Sequence, residues 1–289
     1  MAKEWESPDY LDLLKELNLE ITEYPDRLDA YYRRSELYYA LEDYTAGIKD
    51  LDRVLRLNSK DALAYTCRGY GYDLLKNYPQ AVADYTSAIE LCPNYAKAYF
   101  NRGTVFNRLE QYSLAVGDFT RAIILDPDYA DAYYNRGIAH NKLEQHSQAI
   151  ADYTQAIRLH PKDAAAYYNR ANTYNKLGQY STSLKDYDRA ISINPEDLEA
   201  YYNRANVLYK TQAYSKAIGD YTHVIEGNPR HAATFYNRGT AYLSAQKYHR
   251  AIADFTQAIR LDPNYAEAYY NRAVSFNKIG LYQKAIADH

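Results

Sequence analysis

The 289-residue sequence predicts an all-α solenoid, a chain of stacked helix pairs. Two residue types recur at the same 34-residue interval, and a fixed period of this length is typical of repeat architectures. Within each interval, two segments carry apolar residues at three- and four-residue steps, which is the helical period, so each unit is two helices. The recurring residues are the arginines Arg34, Arg68, Arg102, Arg136, Arg170, Arg204, Arg238 and Arg272 and the prolines Pro93, Pro127, Pro161, Pro195, Pro229 and Pro263.

The prolines set the boundaries of the units. Proline cannot continue a helix interior, so each one marks the end of a second helix and is taken as position 32 of its repeat. Residues 28–289 then form the repeat array, with seven full repeats starting at residues 28, 62, 96, 130, 164, 198 and 232 and a truncated eighth from 266. Residues 1–27 form an N-terminal segment, in which Tyr10 to Tyr24 is in phase with the second helices and predicts a capping helix.

Each unit has the same spacing of aromatic and small residues. In the fourth unit an aromatic stands at position 4 (Tyr133), small residues at positions 8 and 20 (Gly137, Ala149), an aromatic at position 24 (Tyr153) and proline at position 32 (Pro161). This pattern resembles the tetratricopeptide repeat (TPR) family. The resemblance implies a right-handed superhelical solenoid whose first helices line a concave groove, and a scaffold that binds proteins. The sequence departs from the family pattern at position 7, where arginine replaces leucine in all eight repeats.

A row of aspartates accompanies the arginines. All eight repeats carry aspartate at position 23, for example Asp152 beside Arg136. In an antiparallel pair this aspartate is level with the arginine of its own repeat and also with the arginine of the following repeat, such as Arg170. We expect structural Arg–Asp bridges, because the partner recurs in step. The alternative is that the arginines form an anion site.

Three further rows on the first helices are candidates for peptide binding. Asparagine at position 6 can bond both N–H and C=O groups of an extended peptide, whatever the peptide's side chains are. The alternative is that this asparagine only solvates or caps its own helix, and that the tyrosines at position 5 only pack against the next repeat. Lysine at position 13 would favour a partner with acidic residues. The candidate residues are Asn101, Asn135, Asn169, Asn203, Asn237 and Asn271, then Tyr134, Tyr168, Tyr202 and Tyr236, and Lys142, Lys176 and Lys210.

Composition argues against several other classes of partner and ligand. The formal net charge is −3, which gives no overall basis for binding nucleic acid or an anionic membrane. No stretch approaches the eighteen apolar residues of a membrane helix, and the first residues do not resemble a signal peptide. Two cysteines and seven scattered histidines predict no disulfide framework, no metal site and a reduced, cytoplasmic protein. We expect no cofactor.

The sequence contains no phosphate loop, nucleophile elbow or metalloprotease helix, so we expect no catalytic residues and no enzyme activity. The predicted function is a protein–protein interaction scaffold with a peptide in the groove. One alternative is a regulatory or substrate-recruiting array cut from a larger enzyme, such as the glycosyltransferases that this family pattern resembles. Nucleic-acid binding through a local basic face is a weaker alternative. The last repeat stops at His289 inside a second helix, which predicts end-to-end self-association.

Overall fold

A computed structural model describes residues 8–288. The first seven residues of the predicted N-terminal segment, which include the start assessed for a signal peptide, and His289 lie outside that range. The described residues form seventeen α-helices and no strand. They divide into two compact units, one ending at Gln145 and the other beginning at His146. The all-α helix-pair fold that the sequence predicts is confirmed.

Helices alternate between first and second members of a repeat. The first unit contains α1 (Pro8–Glu23), α2 (Leu28–Ala40), α3 (Tyr44–Leu57), α4 (Ala62–Leu74), α5 (Tyr78–Leu91), α6 (Ala96–Arg108), α7 (Tyr112–Leu125) and α8 (Ala130–Lys142). The second unit contains α9 (His146–Leu159), α10 (Ala164–Lys176), α11 (Tyr180–Ile193), α12 (Leu198–Lys210), α13 (Tyr214–Gly227), α14 (Ala232–Ser244), α15 (Tyr248–Leu261), α16 (Ala266–Lys278) and α17 (Tyr282–Asp288).

The turn inside each repeat depends on one backbone position. Position 15 has a positive φ in all eight repeats, and only Gly178 and Gly280 are glycines there. The other six repeats place longer side chains in this left-handed conformation, as Glu42 does at φ 60°. Each costs about 1 kcal/mol relative to a right-handed residue. The turn reverses the chain, so each second helix packs antiparallel to its first helix.

Small residues at position 8 let the two helices of a repeat approach closely. A Cβ atom on Gly69 would lie 3.0 Å from the Tyr85 ring, and one on Gly103 would lie 2.9 Å from the Phe119 ring. Both rings, at position 24, are fully buried. A larger residue at position 8 would overpack the core of the pair, at a cost of roughly 1–3 kcal/mol.

The Arg–Asp bridges form within a repeat. The arginine at position 7 donates from Nε and Nη2 to the two carboxylate oxygens of the aspartate at position 23, at 2.5–2.8 Å. We call this row the Arg–Asp ladder. Its seven described pairs are Arg34–Asp50, Arg68–Asp84, Arg102–Asp118, Arg170–Asp186, Arg204–Asp220, Arg238–Asp254 and Arg272–Asp288.

The same arginines also reach the preceding repeat, which the sequence reasoning did not foresee. Nη1 donates to an oxygen at position 25 of the preceding second helix, usually a threonine hydroxyl, as in Arg102 to Thr86 at 2.9 Å. Arg68 and Arg204 instead pair with Asp52 and Asp188. The full set is Arg34–Asn18, Arg68–Asp52, Arg102–Thr86, Arg136–Thr120, Arg170–Thr154, Arg204–Asp188, Arg238–Thr222 and Arg272–Thr256.

Each ladder arginine therefore joins two second helices through one first helix. Its guanidinium carbon also lies 5.3–5.9 Å from the centre of the aromatic ring at position 4. The hydrogen bond that Arg102 donates to the Asp118 carboxylate is the largest cause that raises the pKa of Arg102. Leucine, the residue of the family pattern, supplies none of these contacts. With three guanidinium nitrogens bonded inside the protein, the arginines serve the fold and not an anion site.

Breaking one bridge from the arginine side tests this role. Arg102→Leu leaves the Asp118 carboxylate, only 9% exposed, without its partner, and we expect it to lower the free energy of unfolding by about 3 kcal/mol. Arg102→Leu/Asp118→Leu should recover most of the loss, because no charge is then left buried. Urea denaturation followed by circular dichroism measures both.

The matched control is Arg56→Leu, which removes an exposed arginine of the same unit and should change the free energy of unfolding by less than about 0.5 kcal/mol. An Arg102→Leu protein as stable as the wild type would show that the bridges do not stabilise the fold.

Candidate peptide-binding face

First helices of successive repeats contact one another within each unit, α4 with α6 and α6 with α8, and α10 through α16 in order. The predicted site residues lie on these helices. The six predicted asparagines at position 6 and the four predicted tyrosines at position 5 are half-buried, whereas Lys142, Lys176 and Lys210 are exposed.

The predicted tyrosine and asparagine rows form one hydrogen-bonded network in the second unit. The amide nitrogens of three asparagines each donate to the hydroxyl of the tyrosine at position 5 of the preceding repeat. The three pairs are Asn203 to Tyr168 at 2.7 Å, Asn237 to Tyr202 at 2.9 Å and Asn271 to Tyr236 at 3.0 Å. We call these pairs the Tyr–Asn row. Each pair joins adjacent first helices and fixes the direction of both side chains.

A second set of asparagines, at position 9, extends this network and was missed from the sequence. Asn172 accepts a hydrogen bond from Tyr187 at 2.5 Å, and Asn206 accepts one from Tyr221 at 2.6 Å. The Asn237 amide also donates to Asn206, at 3.3 Å. Burial is the main cause that raises the pKa of both tyrosines. Asparagine at position 9 in two consecutive repeats was the available signal.

Where the tyrosine is missing, the asparagine turns back to its own helix. The residue 35 before Asn135 is Phe100, which has no hydroxyl. The Asn135 amide donates instead to the Asp131 carbonyl, at 2.8 Å. Tyr32 shows the converse case, because the residue 35 after it is Cys67, so no asparagine amide at that position donates to its buried hydroxyl. The Asn135 side chain thus bonds its own helix and not the preceding repeat.

Lysines at position 13 extend the face toward solvent. Lys210 donates to the Asn175 side chain at 3.2 Å, and its ammonium lies 5.8 Å from the centre of the Tyr180 ring. In the first unit the residue at this position in the third repeat is Arg108, which pairs with the buried Asp73. Lys210 is 35 residues beyond Asn175, so this contact also joins neighbouring repeats.

These side chains surround a cavity of about 440 Å³ in the second unit. It is large enough for several residues of an extended peptide. Its walls combine amides, hydroxyls and one ammonium with aromatic rings. The lining residues are Asn175, Asn206, Tyr209, Lys210, Tyr221, Tyr236, Asn237 and Thr240.

Two kinds of site are absent from residues 8–288. No group of three or more His, Cys, Asp or Glu side chains is arranged to hold a metal ion. No helix in this range combines the length and apolar character needed to cross a membrane.

Family models for the tetratricopeptide repeat match at 28–61, 130–163 and 164–197, and models for the TPR repeat match at 74–109, 103–144 and 239–280. Together they cover more than half of the chain. With the observed helix pairs, these matches show that the chain belongs to the tetratricopeptide repeat family. The comparison with curated proteins finds no match.

Solved structures with the same fold include YrrB, described as a TPR protein with an unusual peptide-binding site, at 26% identity and a TM-score of 0.59 over 64% of this chain and 95% of YrrB. The C-terminal part of a TPR protein from Cytophaga hutchinsonii has 17% identity and a TM-score of 0.70 over 83% of this chain and 98% of that one. PilF from Pseudomonas aeruginosa has 20% identity and a TM-score of 0.60, over 79% and 97%. The latter two show the fold alone.

The Tyr–Asn row predicts that removing a tyrosine hydroxyl and adding one at an equivalent position change the free energy of unfolding in opposite directions. Tyr168→Phe removes the acceptor of Asn203 and should lower the free energy of unfolding by about 1 kcal/mol. Phe100→Tyr supplies an acceptor to Asn135 and should raise it by up to about 1 kcal/mol. Urea denaturation measures both changes, and the same sign for the two would refute the pairing.

Proposed function

We propose that this chain is a protein-interaction scaffold that binds an extended peptide segment of a partner, and that it acts by binding and not by catalysis. The observation that carries the proposal is the cavity between α10, α12 and α14. Hydrogen bonds between neighbouring repeats position several of its lining side chains, among them Asn175, Lys210 and Asn237. Side chains held in place before binding lose less conformational entropy when a ligand arrives.

The chemistry of the face suits a peptide backbone. Asn203 uses one amide N–H for Tyr168, and its carbonyl oxygen and second N–H remain for a peptide N–H and C=O. Asn271 is bonded to Tyr236 in the same way. The repeat of the same amide on successive first helices provides regularly placed contacts along an extended segment. YrrB, with the same fold, is described as having a peptide-binding site.

We further propose that the bound segment carries acidic residues. Lys210 is exposed at the edge of the cavity, and Lys176 is exposed at the same position of the preceding repeat. A carboxylate near either ammonium gains Coulomb energy and approaches faster at low salt. The remaining candidates would add contacts within their own units, Asn169 in the second unit and Asn101, Tyr134, Asn135 and Lys142 in the first.

A peptide display selection tests the proposal. Peptides selected on the wild-type protein should be rich in Asp and Glu, and Lys210→Glu should weaken their binding at least tenfold, on the order of 1.4 kcal/mol. Fluorescence anisotropy with labelled peptides measures the dissociation constants. Raising the salt concentration should weaken wild-type binding, because exposed charges are screened.

Lys185→Glu is the matched control. It makes the same change of charge at an exposed lysine of the same unit, on the second helix α11. Its affinity should stay within about twofold of the wild type. If both variants bind the selected peptides equally, the proposed face is wrong.

End-to-end self-association remains a proposal of its own. On α17 the apolar Ile286 is 67% exposed, whereas Ile48, at the same position of the first repeat, is 7% exposed. A second copy could cover Ile286 and the neighbouring Tyr282. Light scattering should show a mass that rises with concentration, and Ile286→Glu should abolish the rise. A constant monomer mass in the wild type would contradict this proposal.

A further inference from the structure

The first unit contains a second cavity, of about 460 Å³, between the first helices of the first three repeats. It is separate from the face proposed above, apart from Asn101 at its edge. Its walls combine aromatic and aliphatic side chains with a few polar ones. The residues that define it are Tyr39, Leu63, Thr66, Cys67, Tyr70 and Tyr95.

The cavity lies where the other repeats place an aromatic ring. In the third and seventh repeats the ring at position 5 packs on the tyrosine ring at position 34 of its own repeat. Phe100 lies 4.7 Å from Tyr129, and Tyr236 lies 4.8 Å from Tyr265, between ring centres. In the second repeat position 5 is Thr66, so Tyr95 has no such neighbour from its own repeat. One face of Tyr95 therefore borders the cavity.

Other substitutions in the same repeat keep the cavity open and apolar. Position 6 is Cys67 where six later repeats carry asparagine, and burial raises the pKa of this thiol to about 11, so it is neutral near pH 7. The Tyr39 hydroxyl donates to the Cys67 carbonyl at 3.0 Å. A Cβ on Gly71 would lie 2.2 Å from that hydroxyl, so only glycine leaves Tyr39 in this position.

The mouth of the cavity has apolar and charged groups that a partner would meet. Leu63 is 48% exposed and Tyr70 is 46% exposed. Glu36 on α2 and Lys97 on α6 also line the cavity, and both are exposed. These two opposite charges come from different repeats, so a segment crossing α4 passes from one to the other.

We propose that this cavity binds an aromatic side chain of a partner's extended segment, which takes the place of the missing ring at position 5 and packs on Tyr95. Burying an aromatic side chain supplies a large hydrophobic contribution and a ring–ring contact of defined geometry. A basic residue of the segment lies near Glu36 and an acidic residue near Lys97.

The test uses short fluorescein-labelled peptides of glycine and serine with a central Phe, Leu or Ala. One Asp and one Lys flank the central residue, in both orders. Fluorescence anisotropy on the full chain should show the Phe peptide binding at least tenfold more tightly than the Ala peptide, with Leu between them. A Leu peptide that binds as tightly as the Phe peptide, or the absence of any preference for Phe over Ala, would overturn the proposal.

Filling the cavity from within supplies the decisive variant. Thr66→Phe restores the aromatic residue of the other repeats, so the protein should remain folded and the preference for the Phe peptide should disappear. Leu114→Phe, at a site on α7 that is 54% exposed, adds the same ring elsewhere in the unit and should keep the preference. A folded Thr66→Phe protein, verified by circular dichroism, that still prefers the Phe peptide would refute the site.

The charges of Glu36 and Lys97 provide an independent test of the site. The wild type should prefer one order of Asp and Lys in the peptide, and Glu36→Lys/Lys97→Glu should invert that preference. Equal affinity for both orders in the wild type would contradict the assigned orientation. The selected acidic peptides whose binding is weakened by Lys210→Glu should bind Thr66→Phe and wild type equally, which separates failure of this site from failure of the proposed function.

Discussion

One guanidinium in each repeat determines how the repeats are joined. The arginine at position 7 bonds an aspartate in its own repeat and an oxygen at position 25 of the preceding repeat, as Arg238 does with Asp254 and Thr222. The geometry depends on the planar fork of arginine, which presents donors in several fixed directions. Lysine has one nitrogen and could not bond all three oxygens in the same way. The contact between repeats is thus directional as well as apolar.

The first helix carries a second network one residue away. Asparagine at position 6 precedes the arginine, and successive helical residues point about 100° apart. The arginine therefore turns toward the second helices while the asparagine turns toward the neighbouring first helix. In the sixth repeat Arg204 bonds Asp220 and Asn203 bonds Tyr168. Scaffold and candidate binding face are separated within a single turn, so a change in one need not disturb the other.

The fold was accessible from the sequence because its signals are periodic. A 34-residue interval, two helical segments and a proline determine where helices form, and small residues at position 8 determine how closely they pack. The partners were harder to predict. Arg170 could bond the aspartate of its own repeat or that of the preceding repeat. The choice depends on how the helices pack side by side, which the spacing of residues in the sequence does not determine. The structure assigns the bond to Asp186, in its own repeat.

The candidate site depends on pairs that lie 35 residues apart. The asparagine and tyrosine rows were each visible, but their pairing requires knowing how first helices align across a turn and a second helix. Phe100 and Cys67 are local exceptions to this pairing. Without a hydroxyl on Phe100, Asn135 bonds its own helix, and Cys67 offers no amide to Tyr32. The cavity between the first helices of the first three repeats could not be predicted from the sequence for a related reason. A single departure from the repeat pattern, such as Thr66, does not by itself predict a cavity. The cavity becomes evident only when the positions of the neighbouring side chains are known.

The most direct test of the account is to map where a selected acidic peptide binds. Hydrogen–deuterium exchange of the full chain, with and without saturating peptide, reports slowed exchange segment by segment. The account predicts the strongest slowing in the first helices α10, α12 and α14, with little change in the second helices α11, α13 and α15. Slowing confined to the second helices would contradict it.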